Sequence, residues 1–237
     1  MYKHKINQNN NSYLYYSIIL FIGIVIIING CSNTNIKKQA INQSPLLLGV
    51  ADDVSGSAAQ NGVPALSSTH IDRVISCLQK RGGIIAFGLI DEQSFEPLSR
   101  LPLTPVIGTL EERAQRNTMN QKAIEQFRSA IEPKLSPSQQ AKVTDVNGTI
   151  RRFAIFFNEP NNADKVFIFI SDGIETASKR HKISASMPDD VKVFAVGMEK
   201  DAAAGLFGDK VTVFESIDSA IDAIPNIRGE AKNANIN

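Results

Sequence analysis

Four short apolar runs constrain the fold of this chain more than any other feature. They occupy residues 46–51, 84–90, 165–170 and 191–196, and polar residues hardly interrupt them. A strand buried on both faces has this pattern, whereas a strand with one solvated face alternates apolar and polar residues. The runs therefore predict the inner strands of a parallel sheet.

Segments with helical spacing separate these strands. Apolar residues recur every three or four positions in four segments, at residues 71–78, 123–131, 146–157 and 217–224. A further short strand is predicted near 211–214. Because strands and helices alternate along the chain, we expect an α/β domain with an open, doubly wound, mostly parallel sheet flanked by helices.

Prolines restrict the strand that follows the second apolar run. Residues 92–108 contain Pro97, Pro102 and Pro105. Proline has no N–H to donate to a central ladder, so any strand in this segment is expected at an edge of the sheet.

Charge and cysteine content exclude several classes of function. The chain of 237 residues has a net charge of +1, and its Lys and Arg residues are scattered, so nothing favours a nucleic-acid partner. Its two cysteines are Cys31 and Cys77, too few for a disulfide framework or a cysteine-rich zinc site. The length suits one domain, predicted at 45–225, plus a leader.

The first 31 residues have the features of a secretory signal peptide. Lys3 and Lys5 precede an apolar run of 12 residues at 17–28, shorter than the ~20 of a bilayer-spanning helix. The sequence Ile28-Asn29-Gly30-Cys31 resembles a bacterial lipobox, which implies cleavage before Cys31 and a diacylglycerol on its thiol. An uncleaved anchor, extended through residues 13–16, is the alternative.

Both alternatives predict a membrane-attached protein of the cell envelope, with its domain outside the cytoplasm. Residues 32–44 are polar and aperiodic and are expected to form a flexible tether. The Asn- and Lys-rich residues 226–237 are expected to be a disordered tail.

Oxygen-bearing side chains follow the predicted strands. Asp53, Ser55 and Ser57 form a D-x-S-x-S motif directly after the first strand, and Asp172 ends the strand at 165–170. Thr144 precedes the helix at 146–157. Ligands of open α/β sheets bind outside the carboxyl ends of the strands, where these residues are expected to lie.

The order and context of these residues resemble the metal-ion-dependent adhesion site of von Willebrand factor A-type domains. The resemblance covers the whole domain, because the order of strands and helices also fits, and it implies a Rossmann-like fold with one antiparallel edge strand. It further implies a divalent metal, Mg²⁺ above all and Mn²⁺ or Ca²⁺ as alternatives. The implied metal-site residues are Asp53, Ser55, Ser57, Thr144 and Asp172.

The chemistry of these side chains agrees with that resemblance. Mg²⁺ prefers about six oxygen ligands at ~2.0–2.1 Å and keeps several waters. Three hydroxyls offer neutral oxygens, and in the family the two aspartates act mainly through metal-bound water. The ion then stays electron-poor on its open side, where an acidic side chain of a protein partner completes the coordination. We also expect the motif to form a loop, and Thr144 has an ordinary helix N-cap as its alternative role.

Two further acidic residues lie beside the motif. Asp52 occupies a position that is usually apolar in the family; a solvated or backbone-capped carboxylate is the favoured interpretation, and added charge near the ion is the alternative. Asp145 is interpreted as a first-turn helix charge.

The remaining candidate side chains have interpretations that do not involve a metal or a catalytic role. His70 and His181 have no second ligand at metal spacing and are expected at the surface. Cys77 is expected to be a small buried hydrophobe. The basic residues 179–182 are interpreted as a solvated face, with attraction of an acidic partner as the alternative.

A protein-binding module is the favoured function. The alternative is an Mg²⁺-dependent enzyme of the phospho-receiver kind that uses Asp52 and Asp53, although the serine and threonine spacing would then have no purpose. A serine hydrolase is weaker, because no G-x-S-x-G motif occurs. A degenerate site in which the metal serves only stability is the third possibility.

Overall fold

A single six-stranded sheet organises the domain. The computed structural model describes residues 44–92, 96–135, 141–159, 162–177 and 185–225. In chain order the strands are β1 (Leu46–Asp53), β2 (Gly83–Ile90), β3 (Ser99–Leu103), β4 (Asp164–Ile170), β5 (Val191–Val196) and β6 (Val211–Phe214). The order across the sheet is β3-β2-β1-β4-β5-β6.

All neighbouring strands run parallel except β3, which pairs antiparallel with β2. The predicted open, mostly parallel sheet with one antiparallel edge strand is therefore confirmed. Pro102 lies in that edge strand, opposite Ile84. An edge strand tolerates proline, because one of its sides has no neighbouring strand that needs an N–H donor.

Helices cover both faces of the sheet. They are α1 (Gly56–Gln60), α2 (Ser68–Arg81), α3 (Leu110–Ile131), α4 (Val146–Phe157), α5 (Lys200–Phe207) and α6 (Ile217–Ala223). One apolar cluster joins the sheet to α2, α3 and α6, and a second joins it to α4 and α5. The doubly wound arrangement is thus built from two separate cores.

Side chains of β1 alternate between the two apolar clusters. Leu48 and Val50 belong to the first cluster, whereas Leu47 and Ala51 belong to the second. Gly49 lies on the second side, where an added Cβ would be 2.8 Å from the ring of Phe153. Continuous burial on two faces explains why β1 has no polar residue before Asp52.

The helix predicted at 123–131 begins earlier, at Leu110. Thr109 and Glu112 form a capping box that starts it. Its buried residues are Asn120, Ile124, Phe127 and Ile131, all from its middle onward. The exposed first half carries no apolar spacing, so the periodicity detected only the part that packs on the sheet.

Contacts at the amino edge of the sheet fix the chain where it enters β1. The Asp164 amide donates to the Pro45 carbonyl at 2.9 Å, and the Leu46 amide donates to the Gly82 carbonyl at 3.0 Å. The Arg81 guanidinium donates to the Ser44 carbonyl at 3.0 and 3.1 Å and pairs with Asp164.

Several predictions concern residues outside the described ranges. They are the signal peptide with Cys31, the tether at 32–44 apart from Ser44, His181 with the basic stretch, and the tail at 226–237. Within the part of the chain that is described, no helix combines the length and apolarity needed to cross a bilayer.

Candidate metal site

The predicted site residues lie around the carboxyl ends of two neighbouring strands. Asp53 is the last residue of β1, and Ser171 and Asp172 directly follow β4. Because β1 and β4 pair in parallel, these residues come to the same edge of the sheet.

The carboxylate of Asp53 is buried and held by two hydrogen bonds. Its Oδ1 accepts from the Ser55 amide at 3.0 Å, and its Oδ2 accepts from the Ser171 hydroxyl at 2.6 Å. Burial nevertheless raises the pKa of Asp53, and the nearby charge of Asp172 raises it further. The protein alone does not fully compensate this charge, so a cation beside it would be stabilised.

The serine motif does not form the expected loop, because a short helix begins inside it. Ser55 is the N-cap of α1 and its hydroxyl accepts from the Ala58 amide at 3.3 Å. The hydroxyl oxygens of Ser55 and Ser57 lie 3.0 Å apart. Adjacent oxygens in an octahedron around Mg²⁺ are about 2.9 Å apart when each lies ~2.05 Å from the ion. The spacing of the two hydroxyls therefore fits neighbouring ligand positions.

Thr144 is 1% exposed, and its hydroxyl has no hydrogen-bond partner among the described residues. Its amide donates to the Thr176 hydroxyl at 2.7 Å, and its carbonyl accepts from the amides of Thr176 and Ala177 at 3.1 and 3.0 Å. A buried hydroxyl without a partner costs about 1–3 kcal/mol. A ligand that takes up this oxygen would remove that cost.

The alternative role of Thr144 as a helix N-cap is wrong. Asp145 is the N-cap of α4, and its Oδ1 accepts from the Gly148 amide at 2.8 Å. The prediction of Asp145 as a first-turn charge is therefore off by one position, since the residue lies just before the first turn.

Two connections bring the Thr144 segment towards the other candidate ligands. On one side, the Ala141 amide donates to the Val54 carbonyl at 3.0 Å, and Ala141 forms an isolated parallel bridge with Ser55. On the other side, Thr144 bonds to the segment that follows Asp172. The threonine segment is thus fixed between the β1 and β4 ends.

Asp172 connects the end of β4 to α1. Its Oδ1 accepts from the Ile174 amide at 2.9 Å, and its Oδ2 accepts from the Asn61 side-chain amide at 2.9 Å. With both oxygens bonded to protein donors, the carboxylate is oriented in advance. This arrangement suits an aspartate that contacts a metal through water.

Three residues around the site were not identified from sequence. The hydroxyl of Ser171 links Asp53 to the Gly173 amide, which donates to it at 2.9 Å. Asn61 orients Asp172, and Thr176 holds the backbone of Thr144. A polar residue at a strand end was a signal for Ser171, whereas Asn61 and Thr176 act through contacts between distant segments.

The expected solvation of Asp52 is wrong. The residue is 5% exposed and shares its face of β1 with Leu48 and Val50, opposite to Asp53, because successive strand residues point to opposite faces. Burial, together with the charge of Asp53, raises the pKa of Asp52 to about 7. Much of this carboxyl group is therefore protonated near neutral pH.

The other candidate side chains have structural roles or environments. His70 is partly buried rather than at the surface, and its Nδ1 accepts from the Ser67 amide at 3.1 Å in the capping box of α2. Cys77 is half-buried against the first core. No group of three or more His, Cys, Asp or Glu among the described residues is arranged to hold a metal.

Replacing Thr144 with valine should have opposite effects on stability and on metal binding. Without metal, Thr144→Val should stabilise the protein by about 1 kcal/mol, because an unpartnered buried hydroxyl is removed without changing side-chain size. The same change should weaken Mg²⁺ binding about tenfold or more, measured by calorimetric titration.

Thr149→Val is the matched control for this prediction. Thr149 is fully buried in α4, and its hydroxyl also has no partner among the described residues. It should share the stabilisation and leave metal affinity unchanged. Equal metal affinities for both variants and the wild type would remove Thr144 from the site.

The protein is an α/β domain with a hydroxyl-rich candidate metal site at the carboxyl ends of β1 and β4. No family model matches the chain, and no curated protein matches it. It is similar to solved structures that include proximal thread matrix protein 1 from the mussel byssus, at 11% identity and a TM-score of 0.42 over 78% of this chain. BatB from Bacteroides thetaiotaomicron is 13% identical, with a TM-score of 0.41 over 77% of this chain and 96% of its own.

A third similar structure is a von Willebrand factor type A structure from Catenulispora acidiphila, with 11% identity, a TM-score of 0.42 and coverage of 78% of this chain. This chain spans only 45% of the mussel protein and 42% of the Catenulispora protein. At these identities the likeness concerns the fold, and the site assignment depends on the residues of this chain.

Proposed function

We propose that residues 45–225 form a metal-dependent protein-binding module of the von Willebrand factor A type. Asp53, Ser55, Ser57, Thr144 and Asp172 would hold the divalent ion, with Mg²⁺ favoured by the all-oxygen donor set. The observation that carries the proposal is the buried hydroxyl of Thr144, which has no partner among the described residues, in a segment fixed between the two strand ends.

The donor set determines what such a site can do. Both aspartates already accept hydrogen bonds from protein groups, while the three hydroxyls are neutral donors of lone pairs. When bound, the ion supplies an open coordination position for a carboxylate. The residues of this chain orient the hydroxyls and leave that position to a Glu or Asp side chain of a partner protein.

A phospho-receiver enzyme is the less favoured alternative. Asp52 is buried on the face of β1 opposite to Asp53, and this arrangement disfavours an acidic pair around one ion. The strand order with an antiparallel edge also differs from the parallel 2-1-3-4-5 order of receiver-type folds.

A comparison of crosslinked partners with and without chelator tests the binding function. The full chain, expressed in its native cells, should crosslink to a partner in Mg²⁺, and EDTA or Asp53→Ala should abolish the crosslink. Thr149→Val should retain the crosslink, because Thr149 is buried within α4 and is not one of the proposed metal ligands. The same partners in Mg²⁺ and in EDTA would show that binding does not use the metal.

We further propose that the domain is anchored outside the cytoplasm by a lipid on Cys31. Cys31→Ser should prevent incorporation of labelled fatty acid and leave the leader uncleaved, because the modified thiol is lost. Cys77→Ser, which removes the other cysteine, is the control and should be lipidated normally. Normal cleavage of the leader in Cys31→Ser, read by mass spectrometry, would contradict lipidation at Cys31, and a leader retained on the wild type would instead support the uncleaved anchor.

A further inference from the structure

A groove of about 540 Å³ lies beside Asp172, at the carboxyl ends of β5 and β6. Asp172 and its partner Asn61 form one end of it. The groove therefore shares a residue with the candidate metal site, and a ligand on the metal would lie next to it.

Apolar side chains form part of the groove lining. Ile174 is 46% exposed. Met198 packs against Gly173, where an added Cβ would be 2.3 Å from the methionine methyl group. Phe214 is held by an edge contact with Phe194, with ring centroids 4.9 Å apart. These contacts give the groove a fixed apolar surface.

Three of the other lining side chains are acidic. Glu199 and Glu215 line the groove with Asp172, and the described lining residues include no Lys or Arg. Glu199 precedes α5 and its side chain makes no capping bond. Among the described residues neither glutamate has an ion-pair partner within 4.0 Å, unlike Asp189, which pairs with Lys210.

We propose that this groove receives a lysine or arginine side chain of the same partner that supplies the acidic residue to the metal; this inference rests on the proposed function. A long cationic side chain has an aliphatic stem that suits Ile174, Met198 and Phe214, and a charged head that suits Glu199 and Glu215. The same glutamates repel a second acidic residue. The groove thus fixes which way round the partner segment binds.

Selection from a phage-displayed library of linear peptides tests this inference. The full chain in detergent micelles is the bait, once in Mg²⁺ and once in EDTA. We expect Mg²⁺-dependent peptides that carry an Asp or Glu and, at a constant spacing from it, a Lys or Arg. Selection on E199Q/E215Q should retain the acidic residue and lose the basic one.

The affinity of one selected peptide then separates the contributions. Replacing its basic residue with Gln should weaken binding to the wild type about 2–5-fold at low salt, as expected for exposed charge pairs, and should change nothing for E199Q/E215Q. E111Q/E125Q, which removes two exposed glutamates of α3 outside the groove, is the matched control and should behave as the wild type.

The outcomes distinguish the two proposals. Mg²⁺-dependent peptides with an acidic residue but no basic preference would overturn the groove and leave the metal-binding function intact. Selected peptides that bind equally well in EDTA, or that show no preference for an acidic residue, would overturn both proposals. An equal loss in E111Q/E125Q would show a general effect of charge rather than a groove.

Discussion

Saturating Mg²⁺ or Mn²⁺ is expected to raise the melting temperature of this protein by about 5–10 °C. A ligand at 100 times its Kd adds about 2.7 kcal/mol to the folded state, and each kcal/mol moves the melting temperature of a domain of this size by about 2–4 °C. The physical source is relief of the buried Asp53 charge and of the Thr144 hydroxyl. Differential scanning calorimetry in metal and in EDTA measures the shift.

Asp53→Ala should abolish that shift. The variant will melt lower without metal, because the bonds to the Ser55 amide and the Ser171 hydroxyl are lost, so the readout is the difference between metal and EDTA. Asp189→Asn removes an exposed aspartate away from the site and should keep the full shift. No shift in the wild type at millimolar metal would contradict the metal site.

Removing the buried carboxyl group of Asp52 is expected to change the pH dependence of stability strongly. Its pKa is about 7 in the folded protein and about 3.9 in an unfolded chain, so the folded state binds the extra proton between these values. Stability is therefore lost as pH rises from about 4 to 8, and a shift of this size corresponds to about 4 kcal/mol.

Asp52→Asn should remove this loss. In EDTA the variant and the wild type should be similar near pH 3.5, below the pKa of the unfolded chain, and the variant should be more stable by up to about 4 kcal/mol at pH 8. Urea unfolding at a series of pH values gives the difference directly. A difference that does not grow with pH would show that Asp52 titrates as an exposed aspartate does.

Strands and helices were predictable from the sequence where buried residues form a regular apolar pattern. Strands β5 and β6 have the predicted bounds, and β1, β2 and β4 differ from theirs by one or two residues at an end. The exposed first half of α3 was missed because only residues that pack on the sheet carry apolar spacing. The short helix α1 was missed because its serines also suit a loop, and five residues are too few for a periodic signal.

The candidate site was predictable only in its residue types. Strand ends and helix starts identified Asp53, Asp172 and Thr144 as residues of one edge. The pairing of Ser171 with Asp53 and of Asn61 with Asp172 depends on segments 118 and 111 residues apart, and local patterns carry no record of such contacts. The burial of Asp52 was missed because adjacent acidic residues at a strand end usually indicate solvent.

The position of β1 has a mechanical consequence. The chain enters this strand at its amino end, where Arg81 and Asp164 hold residues 44 and 45, and the strand leads directly to Asp53 at the candidate site. Under the proposed lipid anchoring and partner binding, a pull between the anchor and the partner would act along the axis of β1. Because β1 lies between two parallel neighbours, their hydrogen bonds would be loaded in shear together and would resist the force collectively. Such a domain could transmit tension from a membrane to its ligand through a single central strand.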